Sequence, residues 1–145
     1  MAIRAARADE ADEIAALYLR ARNSAFPAIP RSVHPDGDAS RWVAEQLMPD
    51  LWVAIEGGSI VAMMALASGW LEQLYVDPVA QGQGVGGALV EVAKDEQPAG
   101  LELWCFEANE RARRFYEWHN FALVERTDGS RNEERTPDVR YQWTP

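Results

Sequence analysis

The chain has a single cysteine, Cys105, so it can form neither an internal disulfide nor a thiolate metal cluster, and no metal is expected. It has no apolar run of bilayer-spanning length. Met1-Ala2-Ile3-Arg4 leads straight into a mixed pattern, without the apolar region of a signal peptide. The expectation is a cytoplasmic protein with no membrane partner. Positive charge is also short: 14 Lys and Arg stand against 23 Asp and Glu, a net charge of −9. Nonspecific nucleic-acid binding relies on Lys and Arg and is disfavoured. The acidic balance suits a cationic substrate, and it serves plain solubility equally well. There is no internal repeat and no low-complexity tract. What is present, 145 residues at 48% apolar content, is an ordinary globular composition and implies one domain, 1–145, with a real core.

Read in order, residues 3–7 form a weak first strand. Asp9 then looks like the N-cap of a helix of roughly three turns, with Ile14, Leu17, Tyr18 and Ala21 on its apolar face. From Arg22 to Gly37 three prolines forbid a continuous helix, while Phe26, Ile29 and Val33 are too apolar for a solvated loop, which suggests a segment folded over a site. His34 in this segment reads as a surface histidine. A second short helix starts near Asp38 or Ser40 and stops before Pro49. Leu51–Ile55, Ser59–Leu66 and Trp70–Val76 read as an antiparallel meander, closed by Asp77-Pro78. A helix follows to about Asp95, then a strand at 101–106 that the helical crossover makes parallel to Trp70–Val76. Asn109 caps the next helix, whose apolar face carries Ala112, Phe115, Tyr116 and His119. Asn120 occupies the position after that helix where a left-handed backbone is expected. Phe121–Val124, a charged loop from Arg126 to Asp138, and a last strand Val139–Trp143 complete the chain.

The densest glycine cluster, Gly82, Gly84, Gly86 and Gly87, joins the meander to the following helix. Glycines at a helix start let a ligand approach backbone N–H groups that lack helical partners, and such groups suit an anion. A flexible linker is the bland alternative. A Walker A loop is excluded, because Gly86-Gly87-Ala88 lacks the lysine and the hydroxyl. Gly82, Gly84 and Gly87 do match the Rossmann spacing, with Glu102 about twenty residues on. But Asp77 to Gln81, with Pro78, separate strand from glycines, and the strand ends a meander instead of opening a dinucleotide domain.

Val76-Asp77-Pro78-Val79-Ala80-Gln81-Gly82-Gln83-Gly84-Val85-Gly86 resembles motif A of the GNAT N-acetyltransferase superfamily, with Gln81, Gly84 and Gly86 at its signature positions. Asn109-Glu110-Arg111-Ala112-Arg113-Arg114-Phe115-Tyr116-Glu117 resembles that superfamily's second hallmark, and Asn120-Phe121 replaces its usual Gly-Phe. The resemblance implies an α/β fold: a mixed, mostly antiparallel twisted sheet of about seven strands with four helices, splayed between strands 4 and 5. It implies acetyl-CoA as cosubstrate, with the pyrophosphate on the backbone of Gln81, Gly82, Gln83, Gly84, Val85 and Gly86. Leu74, Tyr75 and Val76 would hold the pantetheine arm and polarise the thioester carbonyl, and Asn109 would bond the pantetheine. Tyr116 is the implied general acid. In ribosomal-protein alanine acetyltransferases, similar in motif A, a glutamate stands where this chain has Trp104. Glu72 is then the best candidate base, with Glu102 and Glu107 as fallbacks. The acceptor would be a primary amine of a small molecule or a peptide, bound between the 22–37 loop and the loop before the last strand. Trp42, Trp70, Trp104 and Trp143 would line an aromatic pocket or belong to the core. The alternative is a catalytically silent acyl-CoA-binding or sensing domain. Many members of the superfamily are dimers, so a homodimer is an expected assembly.

Overall fold

A computed structural model describes all of residues 1–145. Seven strands form one sheet in the order β1-β2-β3-β4-β5-β7-β6. They are β1 (Ala2–Ala5), β2 (Leu51–Glu56), β3 (Ser59–Ala67), β4 (Trp70–Val76), β5 (Leu101–Phe106), β6 (Ala122–Arg126) and β7 (Asp138–Trp143). The helices are α1 (Ala11–Ser24), α2 (Ala39–Trp42, continued by a wide turn over Val43–Leu47), α3 (Val85–Glu96) and α4 (Glu110–Trp118). β2, β3 and β4 make the expected meander, and β4 and β5 make the expected parallel pair.

The sheet separates two cores. On one side Ile14, Leu17 and Val43 of the first two helices pack on Leu51, Val53 and Met63, all at most 2% exposed. On the other, Val85, Leu89 and Val90 of α3 and Tyr116 of α4 pack on Leu101, Leu103, Val139 and Tyr141. Each fully buried Leu or Val contributes about 2 kcal/mol over an exposed one. Gly86 sets how closely α3 and α4 approach: a Cβ there would lie 3.2 Å from the Phe115 ring.

β4 and β5 are joined only at their start, where Trp70 stands opposite Glu102 and the Glu102 N–H donates to Gly69 O at 2.8 Å. β4 stays paired with β3, and β5 with β7 along its whole length, so the two strands are pulled apart by their outer neighbours. The register between β3 and β4 jumps from Leu66–Leu71 to Ala65–Gln73, which leaves Glu72 as the extra residue of a β-bulge. Bulges bend a strand and re-aim its side chains.

Local boundaries differ from expectation in three places. Asp9 is not the N-cap of α1. A short turn at Ala8–Glu10 precedes the helix, and Glu10 both accepts the Arg7 N–H at 2.8 Å and pairs with Arg4 at 2.7 Å. Those two bonds reward the tighter turn more than an aspartate cap would. β1 ends at Ala5, just before that turn, and α1 runs on to Ser24, past the expected break at Arg22, with the Ser24 hydroxyl donating to Ala21 O at 2.9 Å. β6 begins at Ala122 because Phe121 is committed to the end of α4, its N–H bonded to Tyr116 O at 3.0 Å and its ring buried. Asn120 has φ of +70°, as its position required.

The Arg4 bond, then the Arg7 N–H, hold the Glu10 carboxyl down to about 2, against an ordinary value of 4.5. A depressed carboxyl stabilises the fold above its unfolded value and loses that contribution as pH falls through its folded value. Glu10→Gln should therefore be less stable than the parent at pH 7 in urea unfolding, with the gap closing between pH 4.5 and about 2. A second substitution tests the loop from Thr127 to Pro137. Gly129 has φ of +85°, and a Cβ there would sit 2.3 Å from the Thr136 carbonyl carbon. Gly129→Ala should cost about 2 kcal/mol or more in the same measurement.

Candidate active site

The divergence of β4 from β5 opens a cleft of about 810 Å³. Its walls are Leu71–Tyr75 of β4, Trp104–Phe106 of β5, Asn109, Ala112 and Tyr116 from the start of α4, and Thr127–Asn132 with Glu134 from the β6–β7 loop. Arg22 and Ile29 reach it from α1 and the segment after it. Of the residues expected to act, Glu72, Leu74, Tyr75, Asn109 and Tyr116 therefore share one cavity.

Val76 and Gln81–Gly86 do not line that cavity but follow β4 out of it. Asp77 folds back to accept the Val79 N–H at 3.2 Å and pairs with Arg20 at 2.7 Å, which fixes the turn. Gly82 and Gly84 take φ of +79° and +85°, and Gly84 caps α3 without any side-chain bond. The first helical bond is Ala88 N–H to Gly84 O, so the amides of Val85, Gly86 and Gly87 have no helical acceptor. The side chains of this stretch serve the fold. Val85 is buried, and Gln81 donates to Val76 O at 3.1 Å while accepting from Arg111 at 2.8 Å. Apart from the exposed Gln83, this stretch offers its backbone outward, the arrangement an anion cradle needs.

Tyr116 is 8% exposed, packed edge-on against Phe115 and Phe121 and close to Cys105. Burial, then Cys105, push its phenol far above the ordinary value, so it stays protonated at every physiological pH. Its hydroxyl is not hydrogen-bonded within the chain. Burial also lifts Tyr75, to about 12, and the Cys105 thiol, to about 12. Asn109 is the N-cap of α4. Its Oδ1 accepts the Ala112 N–H at 3.3 Å as a cap, which leaves the Nδ2 donor for the cavity it lines.

The carboxylates divide clearly. Glu107 is paired with Arg126, and Glu102 with Arg140, which also holds Glu125 at 2.9 Å. Glu72, aimed by the bulge, is exposed in the cleft and has no ion pair. Trp104 stands half open on the β5 wall, at 45% exposure, whereas Trp42 stacks on Tyr18 and Trp143 lies beside Lys94. His34 pairs with Glu133 on the surface, 3.0 Å apart.

A sequence model of the GNAT acetyltransferase domain matches residues 49–123, which span β2 through the start of β6. The chain belongs to the GNAT acetyltransferase family. Enzymes of this family are N-acetyltransferases that use acyl-CoA. The probable N-acetyltransferase Rv2775 of Mycobacterium tuberculosis is 30% identical over 142 residues, covering 86% of this chain and 82% of its own. The peptidyl-lysine N-acetyltransferase YjaB of Escherichia coli is 28% identical, covering 88% of this chain and 86% of its own. The solution structure of apo YjaB from Escherichia coli superposes with a TM-score of 0.80, at 26% identity, over 98% of this chain and 96% of that one. No helix of the GNAT domain described here is long and apolar enough to cross a membrane.

One part of the site had no signal in the sequence. Arg22, 6% exposed, donates to Glu134 at 2.9 Å and to Pro30 O at 3.0 Å, and its Nε has no partner. It ties α1 and the following segment to the β6–β7 loop, across 112 residues of sequence. Removing the acid leaves a buried, uncompensated guanidinium. Glu134→Ala should cost about 3 kcal/mol in chemical denaturation and should raise proteolysis in the 127–137 loop.

Proposed function

We propose that the protein transfers an acetyl group from acetyl-CoA to the primary amine of a small molecule or a peptide, by direct attack of the amine on the thioester. The observation that carries this reading is the divided chemistry of the cleft. A phenol held protonated, Tyr116, and an unpaired carboxylate, Glu72, line one cavity, and the strand that forms one of its walls runs on through a turn to the free amides of Val85–Gly87.

The roles follow from those properties. Glu72 takes a proton from the incoming ammonium and passes it to water, leaving a neutral nucleophile. The nitrogen lone pair forms a bond to the thioester carbonyl carbon while the backbone N–H groups around Leu74 and Val76 stabilise the oxyanion. As the C–S bond breaks, Tyr116 gives its proton to the departing thiolate, and the phenolate recovers one from the acylated nitrogen. The sum is ammonium plus thioester giving amide, thiol and one proton. A phenol suits the donor step because it is fully protonated at neutral pH, and the proton of the acylated nitrogen neutralises the phenolate as it forms. Asn109 and the β4 backbone orient the pantetheine arm, and the Gln81–Gly86 backbone binds the pyrophosphate.

Tyr116→Phe should lower kcat by about a hundredfold while acetyl-CoA affinity, by isothermal titration, stays within twofold. Unchanged turnover would remove Tyr116 from the acid role. Glu72→Gln should lower kcat/KM most at neutral pH, and part of the loss should return at high pH as free amine accumulates. If millimolar acetyl-CoA gave no heat of binding, the transfer reading would fall. If it bound but no amine released CoA above hydrolysis, the protein would be the silent acyl-CoA-binding domain.

A further inference from the structure

The cleft has a side notch of about 350 Å³ lined by only four residues, Trp70, Leu71, Glu72 and Trp104. It shares Leu71, Glu72 and Trp104 with the lining of the main cavity. Leu71 is buried and closes the floor. The walls are two indoles and one carboxylate. We propose that this notch recognises the acceptor as an alkylammonium cation, an inference that rests on the acetyl-transfer reading and specifies its substrate class.

Three observations converge on a cation. First, indole faces attract cations through the ring quadrupole, in partly exposed sites as well as buried ones. An apolar guest would be served as well by Leu or Phe, whereas two indoles beside a carboxylate favour charge. Second, Glu72 stands as the unpaired residue of a bulge, so a positive guest need not displace an existing partner. Third, the nearby charge favours the same sign. Arg140, opposite Trp104 on β7, is already held by both Glu102 and Glu125, so Glu72, Glu102, Glu125 and Arg140 together leave an excess of two negative charges. The exposure of Trp104, at 45% on a sheet face, leaves an indole surface available for contact.

The notch also gives the tryptophan a function. Trp104 occupies the wall position where related enzymes carry a glutamate, and here it supplies an aromatic face across from the carboxylate. The ammonium docks between the indoles and loses its proton to Glu72 on entering the reaction. Trp70 and Trp104 are binding residues for the charged form.

Choline is a suitable probe, since its quaternary ammonium can occupy the notch but its nitrogen has no lone pair to acetylate. Its uncharged carbon isostere, dimethylbutanol, controls for shape. With the full-length protein saturated with CoA, titration calorimetry should show choline binding at least tenfold more tightly than dimethylbutanol. Trp104→Leu and Trp70→Leu should each weaken choline by about fivefold or more, and Trp104→Phe should keep most of the affinity. Acetyl-CoA affinity should be unchanged in all three, which also verifies that they fold. A free alkylamine and a lysine side chain both present this group. A peptide bearing one trimethyllysine, titrated beside choline, distinguishes them by which binds more tightly. Equal binding of choline and dimethylbutanol, or full choline affinity in both leucine variants, overturns the proposal. Loss of acetyl-CoA binding in the parent protein would instead overturn the transfer reading, and the same choline and dimethylbutanol titrations repeated without CoA keep the two outcomes apart.

Discussion

The whole site depends on one missing stretch of pairing. β4 and β5 share a hydrogen bond at their start and none further along, while each is paired along its other edge, apart from the bulge at Glu72. Backbone groups inside a sheet are normally consumed by their neighbours, so a gap between two central strands exposes donors and acceptors in the middle of a folded domain. Those groups are rigid, because their strands are anchored on both outer sides. A ligand that lies along the gap finds preoriented partners and has no loop to order on arrival, which lowers the cost of binding.

Much of this was legible from residue pattern. Gly84 and Gly86, Asn109 and Tyr116 are read easily because their roles are local: a positive φ, a helix start, a cap, and one position on a helical face. The meander and the crossover followed from turn residues and spacing. The boundaries that moved, at Asp9 and Phe121, did so through contacts only the folded chain makes, namely the Arg4–Glu10 pair and the packing of Phe121 under Tyr116. The bulge at Glu72 was not readable either. A bulge is a mismatch of register between two strands, so neither strand encodes it alone. The same holds for Arg22 and Glu134, whose pairing is set by tertiary closure over a long separation.

The two sides of the cleft are coupled through packing. Gly86 lies against Phe115, the residue before Tyr116, and Gly87 against His119, so the helix that presents free amides and the helix that presents the phenol pack directly on each other. Trp104 and Glu72 face each other from strands that belong to the separate β2–β4 and β5–β7 blocks. Donor and acceptor features therefore converge without sharing a structural element, apart from β4, which contributes to both.

The β6–β7 loop is bonded mostly to itself. Asn132 grips Thr136 through both its amide oxygen and its amide nitrogen, Thr127 bonds Asp138, and Asp128 accepts the Ser130 N–H. Only Arg22 and His34 reach it from the first part of the chain. A wall built this way behaves as a replaceable cartridge. Residues such as Arg131 line the cleft without holding the loop together, so they can be exchanged while the sheet stays intact. The shape and charge of this wall can then change by point substitutions in one segment, without disturbing the strands beside it.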